Sequence, residues 1–177
     1  MAATVCPQEM SSAPEVQAFI ASHDCFSKVY IGGQFVAVSG SATFPTISPS
    51  TEQVLHDVPA GGEAEINAAV AAARAAADAT DWGTGSGASR AALLRALAAK
   101  LKEHKDILTK IESLDMGKHI LDAAGDVDAC CGILEANAAL AEQLDTKRNI
   151  PLQGTELNTG YLRYEPFGVV AAITPWN

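Results

Sequence analysis

Residues 168–177 read Gly168-Val169-Val170-Ala171-Ala172-Ile173-Thr174-Pro175-Trp176-Asn177. Residues 168–174 form a short, almost continuous apolar run, which is typical of a strand buried on both faces of a parallel sheet. Open α/β sheets bind ligands beyond the carboxyl ends of their strands. Pro175 supplies a fixed turn there, Trp176 an apolar wall and Asn177 a neutral amide donor. This combination can hold a cofactor and stabilise an oxyanion, so the sequence predicts that an active site begins here.

The preceding segment, residues 149–166, is predicted to be extended. Gly154 and Gly160 punctuate it, and polar and apolar residues alternate in places within residues 161–165. This pattern favours an exposed β ribbon. Such a ribbon needs a partner to cover its edges, because two strands alone are only marginally stable in water.

Three helices are predicted before the ribbon, from apolar residues that recur at helical spacing. The first begins after residue 62, with acidic residues in its first turn, where the helix dipole favours them. The second covers about residues 90–113, with Ser89 as its N-cap. The third covers about residues 120–144 and has Cys131 in its apolar stripe. We therefore expect the Cys131 thiol to have a packing role.

The amino-terminal part is predicted to be a small antiparallel layer that opens a larger domain. Residues 1–27 are irregular apart from a short helix near residues 15–21. Residues 29–36 predict a hairpin, because a Gly-Gly pair that can adopt positive φ separates two β-favouring pairs. Residues 42–47 and 53–59 are also predicted to be extended, with a turn between them.

Composition and charge exclude several classes of protein. Apolar residues make up 48% of the 177 residues and charged residues 19%, which is typical of a globular chain. The net charge of -9, without any Lys/Arg cluster, argues against nucleic acid as a partner. No apolar run approaches the ~20 residues that a membrane span requires. The first 28 residues have neither a basic region with an apolar core nor an arginine, so a secretory signal or transit peptide is not expected.

The cysteines indicate a reducing compartment. Cys6, Cys25, Cys130 and Cys131 lack metal-site spacing, and the adjacent pair cannot close a loop. We interpret them as free thiols, which favours a cytoplasmic protein.

Several stretches occur in an order and spacing that resemble the N-terminal part of NAD(P)-dependent aldehyde dehydrogenases, over roughly residues 29–177. They are Ile31-Gly32-Gly33-Gln34-Phe35, Phe44-Pro45-Thr46-Ile47-Ser48-Pro49-Ser50-Thr51, Glu112-Ser113-Leu114-Asp115-Met116-Gly117-Lys118, Glu165-Pro166-Phe167-Gly168-Val169-Val170 and Ile173-Thr174-Pro175-Trp176-Asn177. The third stretch, together with residues 141–145, is most similar to the betaine and amino-aldehyde dehydrogenase branch.

The resemblance implies an α/β fold, with helices on an incomplete Rossmann-like sheet and part of a β oligomerisation ribbon. Residues 1–28 would be an irregular N-terminal segment, and residues 29–148 the first part of the cofactor-binding domain. Residues 149–165 would begin the oligomerisation ribbon, and residues 166–177 would be the first strand returning to the cofactor sheet. Members of the family are considerably longer, and a full-length homo-oligomer is expected.

The resemblance also implies a chemistry. In the family a cysteine thiolate attacks the aldehyde, hydride passes to NAD or NADP, and a glutamate-activated water releases the carboxylic acid. Asn177 matches the asparagine whose amide holds the oxyanion, and Ile173, Thr174, Pro175 and Trp176 match residues that line the cofactor. Two alternatives stay open: Asn177 could be a turn residue and Trp176 a core aromatic.

A monovalent cation such as potassium is a further implication. Thr46, Ile47 and Asp115 match positions that hold such a cation in some members, and oxygen ligands suit a hard cation. Asp115 could equally cap the turn at Gly117. The adjacent Lys118 is expected to be a solvated surface charge.

The departures from the family pattern are equally informative. The nucleophilic cysteine, the glutamate base and the glycine-rich cofactor turn all lie downstream in the family, and Cys130 and Cys131 do not match the nucleophile. We therefore expect a fragment that does not oxidise aldehydes alone. The alternative is a truncated, non-catalytic interaction module that binds full-length subunits through residues 149–165. The aldehyde, the choice between NAD and NADP, the oligomeric state and an organellar location are not determined by this sequence.

Overall fold

The computed structural model describes residues 14–79, 82–83, 85–144, 147–150 and 160–175. Short 3-10 turns at Asp24–Ser27 and Ser39–Ser41 accompany the helices and strands of this part of the chain. The helices are α1 (Pro14–Ser22), α2 (Glu63–Ala79), α3 (Gly87–Glu103), α4 (Lys105–Met116) and α5 (Ile120–Gln143). The strands are β1 (Val29–Ile31), β2 (Gln34–Val36), β3 (Thr43–Ile47), β4 (Val54–Pro59), β5 (Lys147–Ile150) and β6 (Gly160–Arg163).

The two predicted amino-terminal strand pairs are confirmed. Gly32 and Gly33 join β1 to β2 with φ of 60° and 82°, the left-handed conformations that a two-residue hairpin turn requires. Strands β3 and β4 pair antiparallel, with Phe44 opposite Val58 and an irregularity in register between Thr46 and Ile47. These pairs are two separate sheets that precede α2 in the chain.

The beginning of α2 is fixed by one carboxylate. The Oε2 atom of Glu65 accepts a hydrogen bond from the backbone N–H of Gly62 at 2.8 Å, and its Oε1 accepts one from the N–H of Ser39 at 2.8 Å. The first bond satisfies a backbone donor at the helix start, as in a capping box. The second ties α2 to the turn that precedes β3. These bonds lower the pKa of Glu65 from its ordinary 4.5 to about 2, the Ser39 N–H contributing most.

The prediction of a single helix over residues 90–113 is wrong. The chain forms two helices that meet at His104, whose φ of −100° and ψ of 14° are not helical. The first of them, α3, begins at Gly87, and Ser86 rather than Ser89 is its N-cap: the Ser89 N–H donates to the Ser86 hydroxyl at 3.1 Å. Ser86 captures this donor because it stands just outside the helix, where a cap must lie.

Helices α3 and α5 pack together through small side chains. Ala91 and Ala98 of α3 and Ala123 and Ala138 of α5 are buried. Such side chains let two helix backbones approach closely, since nothing larger separates them. Cys131 is also buried here, and its thiol donates to the carbonyl oxygen of Ala98 at 3.5 Å. The predicted packing role of Cys131 is confirmed.

The α/β class is confirmed, and the sheet is incomplete. In the described ranges the strands form three separate two-stranded sheets, the last of which pairs β5 with β6 antiparallel. This last pair agrees with the predicted ribbon, whose residues 151–159 lie outside the described part. No described helix has the length and apolar character that crossing a bilayer demands.

The predicted buried strand over residues 168–174 is not formed in this chain. Residues 164–175 contain no helix or strand. Phe167, Val170 and Ile173 are 90%, 79% and 96% exposed. A strand of this apolar type needs neighbouring strands on both sides and covered faces, and none of the described strands pairs with it. Local sequence preference alone therefore does not form the strand.

Candidate functional site

The predicted cofactor-binding residues lie in the segment that follows β6, residues 164–175, which we call the exposed segment. Ile173, Thr174 and Pro175 are all exposed there. Their side chains and backbone are therefore open to a ligand. Trp176 and Asn177 lie outside the described residues, so the apolar wall and the oxyanion donor stay predictions.

The beginning of this segment is attached to α2. The Nη2 atom of Arg74 donates a hydrogen bond to the carbonyl oxygen of Phe167 at 3.2 Å. The Nη1 atom of the same guanidinium lies 3.9 Å from Oδ1 of Asp78, one helical turn further along α2. The sequence interpretation missed Arg74, although it is the only basic residue in an otherwise alanine-rich helix. A single basic residue in such a helix is the one sequence feature that could have indicated a role for Arg74.

The candidate cation residues lie on two elements: Thr46 and Ile47 are at the end of β3, and Asp115 is near the end of α4. The Thr46 hydroxyl donates to the carbonyl oxygen of His56 at 3.3 Å, and Asp115 is exposed near the end of α4. Pro49, just beyond β3, packs so closely on Gly117 that a Cβ there would lie 2.6 Å from the Pro49 Cγ. The residues that follow β3 and α4 are thus in contact. The described residues contain no group of three His, Cys, Asp or Glu side chains that could hold a metal.

The backbone closes the turn after α4. The N–H of Gly117 donates to the carbonyl oxygen of Ser113 at 3.0 Å, and Gly117 has a φ of 77°. This is a left-handed helix terminus of the kind that glycine favours. The alternative role of Asp115 as the cap of this turn is therefore not supported.

Lys118 is not the solvated surface charge that was predicted. Its side chain is largely buried, and its Nζ contacts Oε1 of Glu112 at 2.5 Å and a carboxylate oxygen of Asp126. These contacts join the end of α4 to α5 and raise the pKa of Lys118, the Asp126 hydrogen bond contributing most. The ammonium group therefore has a structural role. Adjacent sequence gave no sign of it, because the Asp126 partner lies on the following helix.

The described thiols lie on α5 and in the 3-10 turn before β1. Cys131 is buried between α3 and α5, where its hydrogen goes to a backbone carbonyl. Cys130 is exposed on α5, and Cys25 is half-buried in the 3-10 turn before β1. None of these cysteines belongs to the segment that carries Ile173. That Cys130 and Cys131 do not match the family's nucleophile stays a prediction.

A comparison with protein families gives a match to the model of the aldehyde dehydrogenase family over residues 35–177. The chain belongs to the aldehyde dehydrogenase family. The match covers most of the chain: it begins within β2 and includes the β3–β4 pair, all of α2–α5, the strands β5 and β6 and the exposed segment.

Similar curated proteins include enzymes named for amino and betaine aldehydes. This aldehyde dehydrogenase chain is 41% identical, over 154 residues, to the peroxisomal aminoaldehyde dehydrogenase 1 of Pisum sativum, covering 85% of this chain and 31% of that protein. It is 39% identical, over 155 residues, to the chloroplastic betaine aldehyde dehydrogenase of Amaranthus hypochondriacus, with the same coverage of each. The chain thus spans about a third of the length of these relatives.

Solved structures show the same resemblance. Betaine aldehyde dehydrogenase of Staphylococcus aureus in complex with NAD+ superposes with a TM-score of 0.74 and 26% identity, covering 81% of this chain and 28% of that one. A mutant of the same enzyme without NAD+ gives a TM-score of 0.77 and 27% identity, covering 85% and 30%. The helices and strand pairs therefore have the arrangement of an amino-terminal portion of the aldehyde dehydrogenase fold.

Proposed function

We propose that this chain is the amino-terminal part of an aldehyde dehydrogenase that oxidises an amino or betaine aldehyde to its carboxylic acid with NAD or NADP. The observation that carries the proposal is the 41% identity to an aminoaldehyde dehydrogenase over 154 residues. Residues 29–148 would then begin the cofactor-binding domain, and residues 166–177 would return to its sheet when the rest of that sheet is present.

The exposed segment fits one half of a nicotinamide dinucleotide. Ile173 and Pro175 offer apolar contact, and Thr174 offers a hydroxyl group beside exposed backbone. These groups suit a nicotinamide ring and its ribose. No charged side chain occurs in residues 168–175 to meet a pyrophosphate, so that part of the cofactor would need donors from other sequence. When bound, NAD or NADP supplies the hydride acceptor.

Asn177 is the residue of this chain that would act on the reacting aldehyde. Its side-chain N–H would donate to the aldehyde oxygen as negative charge develops there. A neutral donor favours this charge in the transition state, and losing one such donor costs about 3 kcal/mol of barrier. The nucleophilic thiolate and the carboxylate base would come from sequence outside these 177 residues. We therefore propose that the 177-residue polypeptide has no aldehyde-oxidising activity alone.

The transcript beyond codon 177 provides the test. We expect it to encode the missing cysteine and glutamate, and the longer polypeptide to reduce NAD or NADP in the presence of an amino or betaine aldehyde. Asn177→Ala in that polypeptide should lower kcat about 100- to 1000-fold. The control Asn67→Ala, at an exposed position of α2, should leave kcat unchanged. An in-frame stop at codon 178, or robust turnover by the 177-residue chain, would contradict the proposal.

The cation and the compartment are secondary proposals. Thr46, Ile47 and Asp115 would hold a monovalent cation such as potassium, supported by the contact of Pro49, just after β3, with Gly117, just after α4. The expected sign is a higher melting temperature in potassium than in lithium chloride at equal ionic strength, lost in Asp115→Asn. An organelle is a candidate location beside the cytoplasm, because two similar relatives are named peroxisomal and chloroplastic.

The ribbon favours a second candidate function, an interaction module. The paired strands β5 and β6 expose Leu162, and Tyr164 just after β6 is exposed as well. An uncovered two-stranded ribbon is a template for pairing with another chain. We expect a tagged 177-residue chain to co-purify with a full-length aldehyde dehydrogenase subunit, and Leu162→Lys to abolish this. This candidate would be favoured over the enzyme by two results together: the wild-type chain co-purifies but Leu162→Lys does not, and the transcript has no coding sequence beyond codon 177.

A further inference from the structure

Three consecutive residues attach the exposed segment to the rest of the molecule. The Phe167 carbonyl oxygen accepts the hydrogen bond from Nη2 of Arg74 at 3.2 Å. Pro166 lies against Gly83, where a Cβ would be 2.8 Å from the Pro166 Cγ. Gly168 packs on α2: a Cβ there would collide with Nη1 of Arg74 and lie 3.4 Å from the Cβ of Ala77. The segment is thus held on both sides of Phe167.

Gly168 meets a conformational requirement in addition to the steric one. Its φ is 90°, which side chains other than that of glycine rarely adopt. The turn at Gly168 sets the direction in which residues 169–175 leave α2. The hydrogen bond to the Phe167 carbonyl and the close packing at Gly168 therefore both involve the Arg74 guanidinium.

We infer that Arg74 and Gly168 are positioning residues, which anchor the segment that carries the proposed cofactor contacts and set its direction. The inference rests on the proposed function for what the segment does, and on the contacts above for the anchor itself. The Asp78 carboxylate lies 3.9 Å from the same guanidinium, but both side chains are exposed, so this pair adds little to the anchor. No other basic side chain of α2 could replace Arg74.

Chymotrypsin cleavage tests the anchor at the Phe167 carbonyl group. The protease attacks the carbonyl after an aromatic residue, and the Phe167 carbonyl is the acceptor of the Arg74 bond while its ring is exposed. Tyr164, also exposed, provides a nearby reference cut. Mass spectrometry of brief digests gives the ratio of cleavage after Phe167 to cleavage after Tyr164. We expect Arg74→Gln to raise this ratio about tenfold.

Two variants separate positioning from general loss of structure. Arg74→Lys should restore most of the wild-type ratio, because an ammonium group can still donate to the carbonyl. Arg95→Gln, which removes an exposed arginine paired with Glu142, should leave the ratio unchanged. An unchanged ratio in Arg74→Gln would overturn the anchor, and so would an equal rise of both cuts.

Tryptophan fluorescence tests the effect further along the segment. In a Trp82→Phe background, Trp176 is the only tryptophan, and its anisotropy reports how freely the end of the segment moves. Arg74→Gln should lower this anisotropy, and Arg95→Gln should not. Equal anisotropy with and without Arg74 would overturn the positioning role. These measurements require no activity, so an inactive longer polypeptide would refute the proposed function and leave the anchor intact.

Discussion

Glu65 is a residue whose ionisation the fold uses directly. Its two carboxylate oxygens accept backbone N–H groups from Ser39 and Gly62. The two bonds together favour the ionised form, since a protonated carboxyl has one oxygen that is a poorer acceptor. The group is surface-accessible, so solvent screens part of the effect. One side chain nevertheless joins the start of α2 to the turn between β2 and β3.

Glu65→Gln should weaken the acid sensitivity of the fold. The pKa of Glu65 is lowered to about 2 from its ordinary 4.5 in the folded chain. Its contribution to stability is therefore complete above pH 4.5 and is lost as the pH falls from 4.5 towards 2. Thermal melts between about pH 5 and pH 2.5 should show a smaller fall in melting temperature for Glu65→Gln than for wild type. Curves for Glu65→Gln and wild type that run parallel over this pH range would contradict the prediction.

At the scale of elements, the close contact of α3 with α5 governs stability. Buried alanines line it on both helices, and Gly87 at the start of α3 lies against the backbone of Ala141 near the end of α5. Dispersion and burial both grow as helices approach. A contact made this close by small side chains has no spare volume. It is therefore more sensitive to an added methyl group than to a lost one.

Gly87→Ala should destabilise the chain. A Cβ at position 87 would collide with the carbonyl oxygen of Ala141, which is backbone and cannot turn aside. Overpacking of this kind costs about 1–3 kcal/mol of unfolding free energy. The midpoint of urea denaturation measures this loss of stability and should be lower than in wild type. Gly125→Ala, at an α5 position with nothing within 4 Å of the new Cβ, is the control and should instead stabilise by about 0.5–1 kcal/mol. A neutral Gly87→Ala would refute this account of the contact.

The elements that could be predicted are those with local causes. The Gly32-Gly33 hairpin and the Gly117 helix end follow from positive φ, and the three helical regions follow from apolar spacing. The break at His104 carries neither glycine nor proline, so no local signal separates α3 from α4. The strand over residues 168–174 was predicted from composition, but a strand of that kind depends on neighbouring strands. At the candidate site, Arg74 escaped notice because its acceptor lies 93 positions away.

At the scale of the whole molecule, large apolar side chains remain uncovered on several elements. Leu121, Ile133 and Leu140 of α5 are exposed, as are Ile66 and Val70 of α2. Helix α2 has no buried residue at all, although its apolar residues follow helical spacing. These faces are consistent with a chain that spans about a third of its relatives' length. Exposed apolar area of this extent favours association.

The 177-residue chain should bind an apolar fluorescent dye and unfold over a broad temperature range. The exposed helix faces provide dye-binding surface, and few contacts hold the elements together cooperatively. Leu121→Gln combined with Ile133→Gln should reduce dye fluorescence, since both side chains are exposed. Leu114→Gln, which places an amide at a buried position, should increase it. A sharp melt without dye binding would contradict this prediction.

Leu97 and Ala98 are neighbours in α3, yet one is 49% exposed and the other 2%. Substitutions at these two adjacent positions should therefore have opposite effects on folding. At position 97 almost any polar replacement should be accepted, and many should even improve yield on expression. At position 98 only the tiniest replacements leave room for the facing helix. A deep mutational scan of this short chain would record that boundary as an abrupt step between adjacent columns.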